Sequence, residues 1–240
     1  MLPKHATVGL TLLTVSLMGA FCAHLKAGCK VETLRACGED YVPYGNQTHL
    51  EVSGPTFMKA CKLYEQQIEC SKQFTKDCTD GVPKAAALLG LEAFLENVEA
   101  ICTSGTKQYE AYHKAIGCIN SVGTKINACM NGIRTGLQKA VVKAPNQDIL
   151  HYACCSYGDL VDCLEPVLTP CEKVGGKEFT LKLMENVFGE ALELVCGNYK
   201  RESEACKRLP KLPALGPKDS KLESYIELLI ETATTFGRRS

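Results

Sequence analysis

The chain has 240 residues, with 27 Lys+Arg against 27 Asp+Glu. No basic excess exists to displace counterions from phosphates, so binding to nucleic acid through bulk charge is excluded. A hydrophobic content of 45% suffices for a packed interior and excludes a disordered chain, while 15 cysteines and no tryptophan mark the composition as unusual.

Residues 1–22 read as a secretory signal peptide. Lys4 and His5 give the positive start, Ala6 to Phe21 is mostly apolar, and Ala20-Phe21-Cys22 supplies the cleavage region. The apolar stretch is interrupted by Thr11, Thr14 and Ser16, and it falls short of the roughly 20 residues that a bilayer span needs. No later run is long enough, so no stable membrane insertion is expected. The expected location is secreted and extracellular.

Fifteen cysteines less Cys22 leaves 14: Cys29, Cys37, Cys61, Cys70, Cys78, Cys102, Cys118, Cys129, Cys154, Cys155, Cys163, Cys171, Cys196 and Cys206. An even set in an oxidising compartment pairs and stays paired. No Cys-x-x-Cys occurs, which removes the zinc ribbon and the thioredoxin-type redox motif together. No metal and no cofactor are expected.

The spacings recur. Cys61, Cys70 and Cys78 map onto Cys154, Cys163 and Cys171 at an offset of 93 residues, and Cys102 onto Cys196 at 94. Cys37 maps onto Cys129 at 92 and Cys29 onto Cys118 at 89. Neighbours agree: Phe94 and Val98 stand opposite Phe188 and Leu192. Two tandem six-cysteine helical repeats are therefore expected, one in residues 23–105 and the other in 106–206. Within each repeat the pairing is left open among 15 possibilities. Cys155 and Cys206 have no counterparts, so if each repeat closes its own three bridges they are left for each other.

The fold class expected is all-α and disulfide-rich. Leu88, Leu91, Leu95, Val98 and Ile101 recur at three and four residues, on one helical face. Leu181, Met184, Val187/Phe188, Ala191/Leu192 and Val195 do the same in the second repeat. Helices are also expected over 56–78 and 147–171, the latter broken near Gly158 and Pro166. Residues 38–55 form a loop carrying the Asn46-Gln47-Thr48 glycosylation acceptor. Residues 207–219 form a Pro-rich linker. Over 220–240 a C-terminal amphipathic helix is expected, capped by Ser220 and Glu223. Its apolar face holds Leu222, Tyr225, Ile226, Leu229, Ile230, Ala233 and Phe236, and Glu223, Glu227 and Glu231 line the other side. An acidic polar face argues for docking on the protein's own body or a partner rather than on anionic lipid.

Catalytic signals fail on inspection. Cys154-Cys155-x-x-Gly158-Asp159 has a glycine where a phospholipase A2 helix carries its histidine. Gly117 to Lys125 has neither the spacing nor the order of a phosphate loop. His24, His49, His113 and His151 stand apart from other catalytic residue types, and no nucleophile elbow or His-Glu-x-x-His occurs. Phe236-Gly237-Arg238-Arg239 has the form of an amidation site and reads more simply as a helix end. No catalytic residues are assigned.

Cys61-x8-Cys70-x7-Cys78, a helix ending Val98-x-x-Ile101-Cys102, Cys118-x10-Cys129, Cys154-x8-Cys163-x7-Cys171 and a helix ending Leu194-Val195-Cys196 together resemble the arthropod family named for the 27-kilodalton haemolymph glycoprotein. The resemblance covers about residues 29–206 and leaves out Cys155, Cys206 and the tail. It implies a secreted, circulating, helical glycoprotein without catalytic residues.

The expected function is non-enzymatic extracellular binding. One form of it is a carrier of a small apolar ligand lined by Leu91, Phe94, Met184 and Phe188, residues that read more simply as ordinary core. The alternative is a protein-binding effector or inhibitor acting through the 38–55 loop or the C-terminal helix. The expected partners are thus an unknown extracellular protein or a small apolar ligand.

Overall fold

The structure, a computed structural model, describes residues 25–234. The expected signal peptide, Cys22, His24, Phe236 and the 236–239 motif lie outside the described residues. The fold is all-α, with no strand among the described residues. The helices are α1 Val31–Cys37, α2 Gly54–Cys78, α3 Gly81–Cys102, α4 Lys107–Ser121, α5 Gly123–Lys143, α6 Ile149–Leu168, α7 Gly176–Val195, α8 Glu204–Arg208 and α9 Tyr225–Thr234. A 3-10 turn, Thr169–Val174, joins α6 to α7.

Local chemistry sets the helix ends. Pro55 sits in the first turn of α2, where its missing N–H costs nothing. The Thr106 hydroxyl accepts from the Tyr109 N–H at 3.0 Å and caps α4. Only Val122 separates α4 from α5, and Gly123 opens α5 because the 38–53 loop passes over it. A Cβ at Gly123 would collide with the Thr48 carbonyl oxygen. Asn120 clamps the same loop: its Oδ1 accepts from the Leu50 N–H and the Tyr44 hydroxyl, both at 2.8 Å, and its Nδ2 donates to the Leu50 carbonyl.

Seven disulfides tie the described residues. The first half closes Cys29–Cys78, Cys37–Cys70 and Cys61–Cys102. The second closes Cys118–Cys171, Cys129–Cys163 and Cys154–Cys196. The connectivity is the same in both: first to fifth, second to fourth, third to sixth. Cys155–Cys206 joins α6 to α8 outside that scheme.

Two main core clusters follow. One gathers Leu34 of α1, Ile68 and Phe74 of α2, and Leu91 and Phe94 of α3 around Tyr225, Ile226 and Ile230 of α9. The other gathers Phe57 of α2, Ile116 and Ile119 of α4, Ile126 of α5 and Leu164 and Leu168 of α6. The 38–53 loop bridges them, with Tyr41 and Val42 in the first and Tyr44 and Leu50 in the second.

Two expectations are corrected. Helix α6 runs unbroken through Gly158 and Pro166. Gly158 faces the Arg201 backbone closely, and Pro166 lies near the helix end, where little remains to disrupt. The tail helix begins at Tyr225, capped not by Ser220 but by Ser224, whose Oγ accepts from the N–H groups of Ile226 and Glu227 at 3.2 and 3.3 Å. Glu39 completes this cap from the loop: its Oε2 accepts from the Ser224 hydroxyl and the Tyr225 N–H, both at 2.8 Å. A carboxylate there also complements the helix dipole.

The acidic side of α9 is not turned wholly to solvent. Its Glu227 is only 5% exposed. Arg35 Nε donates to Glu227 Oε2 at 3.0 Å, and Nη2 reaches both carboxylate oxygens at 2.9 Å. Thr232 and Thr234 donate to the carbonyls of Leu228 and Glu231. With its polar groups satisfied this way, α9 can be buried on nearly every side.

Removing one partner of the Arg35–Glu227 pair leaves a buried charge behind. Arg35→Ala should destabilise the protein by about 2–4 kcal/mol, somewhat below the fully buried range because Arg35 keeps solvent contact. The double change Arg35→Met/Glu227→Leu should recover most of that loss. Urea unfolding of the three proteins checks this; equal losses in single and double variants would contradict it.

Candidate functional site

The interior is not solid. A cavity of about 370 Å³ lies between the two halves. A structural water needs only about 10–15 Å³ on the same measure, so this is a space for a ligand rather than for isolated waters. Volumes of about 300–1,000 Å³ are usual for small-molecule sites.

Seven helices and the loop build its wall, α2 contributing Phe57 and Tyr64. Helix α3 presents Leu91, Phe94 and Val98, and α7 presents Met184, Val187 and Phe188. Helices α4, α5 and α6 close one side with Ile116, Met130 and Leu160, and α9 closes another with Tyr225, Ile226 and Leu229. Leu91, Phe94, Met184 and Phe188 therefore all stand on the cavity wall. The first two also belong to the buried core.

Aromatic edges join the halves across the cavity. Phe94 meets Phe188 at a centroid distance of 5.8 Å with near-perpendicular rings. Tyr41 extends the chain from Phe94 at 5.4 Å, and Tyr157 from Phe188 at 5.9 Å. Such edge-to-face pairs contribute about 0.5–1.5 kcal/mol each beyond the area they bury.

Helix α7 covers the cavity loosely. Val187 is its one buried hydrophobic residue among those described, and Leu183, Met184, Phe188 and Leu192 are half-buried. Its apolar stripe lines the cavity and touches the core clusters at its edges through Met184, Val187, Phe188 and Leu192. The wall residues Ala86 and Leu89 of α3 and Asn186 of α7 are exposed, so the cavity reaches the surface along both helices. Leu89 is 53% exposed. Gly90 lies on the wall beside it, with open space where a Cβ would point.

Most polar groups on the wall are occupied by the protein, while the buried Tyr41 hydroxyl has no hydrogen-bond partner. Tyr44 donates to Asn120, Tyr112 to the Glu51 carbonyl and Tyr225 to the Met130 carbonyl. Thr180 and Thr232 donate to carbonyls of their own helices. Asn186 donates to Asn97 Oδ1 at 3.2 Å, and Asn97 donates to the Ala93 carbonyl at 2.7 Å. Burial pushes the phenols of Tyr41, Tyr44 and Tyr112 well above their ordinary range, so they stay neutral.

The histidines do not converge with acids on the cavity. His113 sits in an aromatic cluster with Phe57, Tyr109 and Tyr112, its Nδ1 2.9 Å from the Tyr109 carbonyl. His151 stacks on Tyr199 at 3.8 Å, its Nδ1 3.3 Å from Asp148. His49 is exposed beside Asn120. No group of three metal-ligating side chains occurs among the described residues. Asn46 is exposed on the loop; its Nδ2 donates to Glu39 at 3.2 Å, and its Oδ1 accepts from Arg134.

Sequence reasoning missed the contributions of α9 and the loop to the wall. The available signal was Leu228, an apolar residue on what was read as the polar side of the tail helix. No family model, no curated protein and no solved structure matches the chain.

The buried phenols have a measurable consequence. An unfolded tyrosine ionises near pH 10, whereas these folded ones ionise only at higher pH. Their contribution to stability is therefore intact below about pH 10 and lost progressively as pH rises beyond it. Ultraviolet titration of tyrosinate should show a fraction of phenols that ionise only on alkaline unfolding. Smooth ionisation of the whole set near pH 10 would contradict the burial.

Proposed function

We propose that this protein is an extracellular carrier that holds a small apolar ligand between its two halves and performs no catalysis. The observation that carries the reading is the cavity of about 370 Å³, walled by apolar side chains of both halves. Exposed wall residues on α3 and α7 supply a route for exchange. Seven disulfides suit an oxidising, extracellular setting, and no helix of the described residues is long and apolar enough to cross a membrane. Export through the 1–22 segment, glycosylation at Asn46, and kinship with the haemolymph glycoprotein family on the strength of the cysteine spacing belong to this proposal as well.

The alternative reading, partner binding through the loop or the tail, has less surface to work with. Helix α9 is engaged in the core, and Tyr41, Val42, Tyr44 and Leu50 of the loop point inward. The exposed stretches 46, 48–49 and 51–55 are what remains of it.

Native mass spectrometry of protein secreted from a eukaryotic host should show a bound species that organic extraction removes. Gly90 separates binding from folding. Gly90→Ala should raise stability by about 0.5–1 kcal/mol, as expected for a mid-helix glycine with open space around it. Gly90→Leu should keep the helical spectrum while weakening uptake of an apolar dye such as Nile red by about tenfold, equivalent to ~1.4 kcal/mol. A ligand-free mass together with no dye uptake by the parent protein would sink the carrier reading.

A further inference from the structure

The cavity wall carries no lysine, arginine or histidine. Its only ionisable groups besides phenols are two acids, Asp40 and Glu51. Asp40 Oδ2 already accepts from Gln67 Nε2 at 2.6 Å. The hydroxyls of Tyr44, Tyr112, Tyr225, Thr180 and Thr232 donate into the protein, as do the amides of Asn97 and Asn186. The mouth residues Ala86, Leu89 and Asn186 add no cation either.

An ionised carboxylate needs a cation or several free donors to leave water without a large penalty. This wall offers no cation, its buried hydroxyl without a protein partner is the single phenol of Tyr41, and the only charged groups on the wall, Asp40 and Glu51, have the same sign as the ligand. A neutral group, an ester or a single hydroxyl, loses far less on entering, and its hydroxyl can donate to occupied acceptors that keep a second lone pair, such as the Asn97 and Asn186 amide oxygens.

We infer that the cavity selects neutral chain-like apolar ligands, long-chain alcohols or esters, over carboxylates of the same length. The inference rests on the carrier reading and refines it by charge. The space itself would accept either chain. Discrimination comes from what the wall cannot provide, which is how sites reject a ligand most strongly.

The test is displacement of Nile red from the full-length secreted protein, stripped by organic extraction and shown to retain its helical spectrum. The competitors are 1-dodecanol, methyl dodecanoate and sodium dodecanoate at neutral pH, each below its aggregation threshold. The two neutral ligands should displace the dye at concentrations at least about tenfold below the carboxylate, equivalent to ~1.4 kcal/mol. Displacement by dodecanoate at the same concentration as dodecanol overturns the charge selection while leaving the carrier reading intact. Dye binding with no displacement by any of the three overturns the chain-like ligand class. Absence of dye binding removes the carrier reading, and this inference with it.

Discussion

Seven covalent crosslinks are what allow this protein an interior that is not full. An apolar void costs stability in proportion to its volume, on the order of 24 cal/mol per Å³ in engineered cavities, so a space of several hundred Å³ costs several kcal/mol. Total stability of a domain is usually about 5–15 kcal/mol. A helical protein relying on packing alone would collapse onto such a space or fail to hold one shape. Each bridge removes freedom from the unfolded chain and contributes about 2–4 kcal/mol. Here the bridges join helix ends and interiors: Cys61–Cys102 ties α2 to the end of α3, and Cys154–Cys196 ties α6 to the end of α7. Each half is thus braced by its own bridges, none of which crosses the cavity; across it the helices are spaced by the Phe94–Phe188 contact.

The halves share a connectivity but not their helix lengths. Cys37 ends α1, which has 7 residues, whereas Cys129, its counterpart in spacing, lies early in α5, which has 21. The first half thus lacks a long helix where the second has one. Helix α9 covers the exposed flank: it inserts Tyr225, Ile226 and Ile230 into the first core, and its Glu227 meets Arg35 on α1 itself. Because α9 also forms part of the cavity wall, ligand space and tail docking are one packing problem. A chain that lost its tail would not merely lose an appendage; it would open the cavity to water along α3.

Much of the architecture is visible in the cysteine spacing and in the three-and-four periodicity of Leu91, Leu95 and Val98, because those are local signals that a helix preserves. The pairing of Cys155 with Cys206 was readable only because both lacked counterparts. Other features depend on contacts that no local pattern records. The cap at Ser224 rather than Ser220 is selected by Glu39, 185 residues away. Pro166 is harmless because α6 ends two residues later. Glu227 read as solvent-facing because its partner Arg35 is 192 residues distant. Periodicity likewise showed that Leu91, Val98, Met184 and Phe188 lie on apolar faces, but not whether the two stripes meet. A stripe that touches its partner and one that faces a gap have the same sequence signature.

That ambiguity is resolved by exposure along α7. In a filled bundle, a stripe such as Met184, Phe188 and Leu192 would be as deeply buried as Leu91 and Val98 opposite it. These residues are instead half-buried, while the residues that touch across the gap, Phe94 and Phe188, do so edge to face. An edge-to-face pair can hold two helices at a fixed distance without filling the volume beside it. Helix α7 is tethered at its end by Cys154–Cys196 and just before its start by Cys118–Cys171, so it is anchored at both ends and thinly packed between them. Elements with few buried contacts open at low free energy. The segment best placed to admit a ligand is thus also the segment that its bridges keep from leaving.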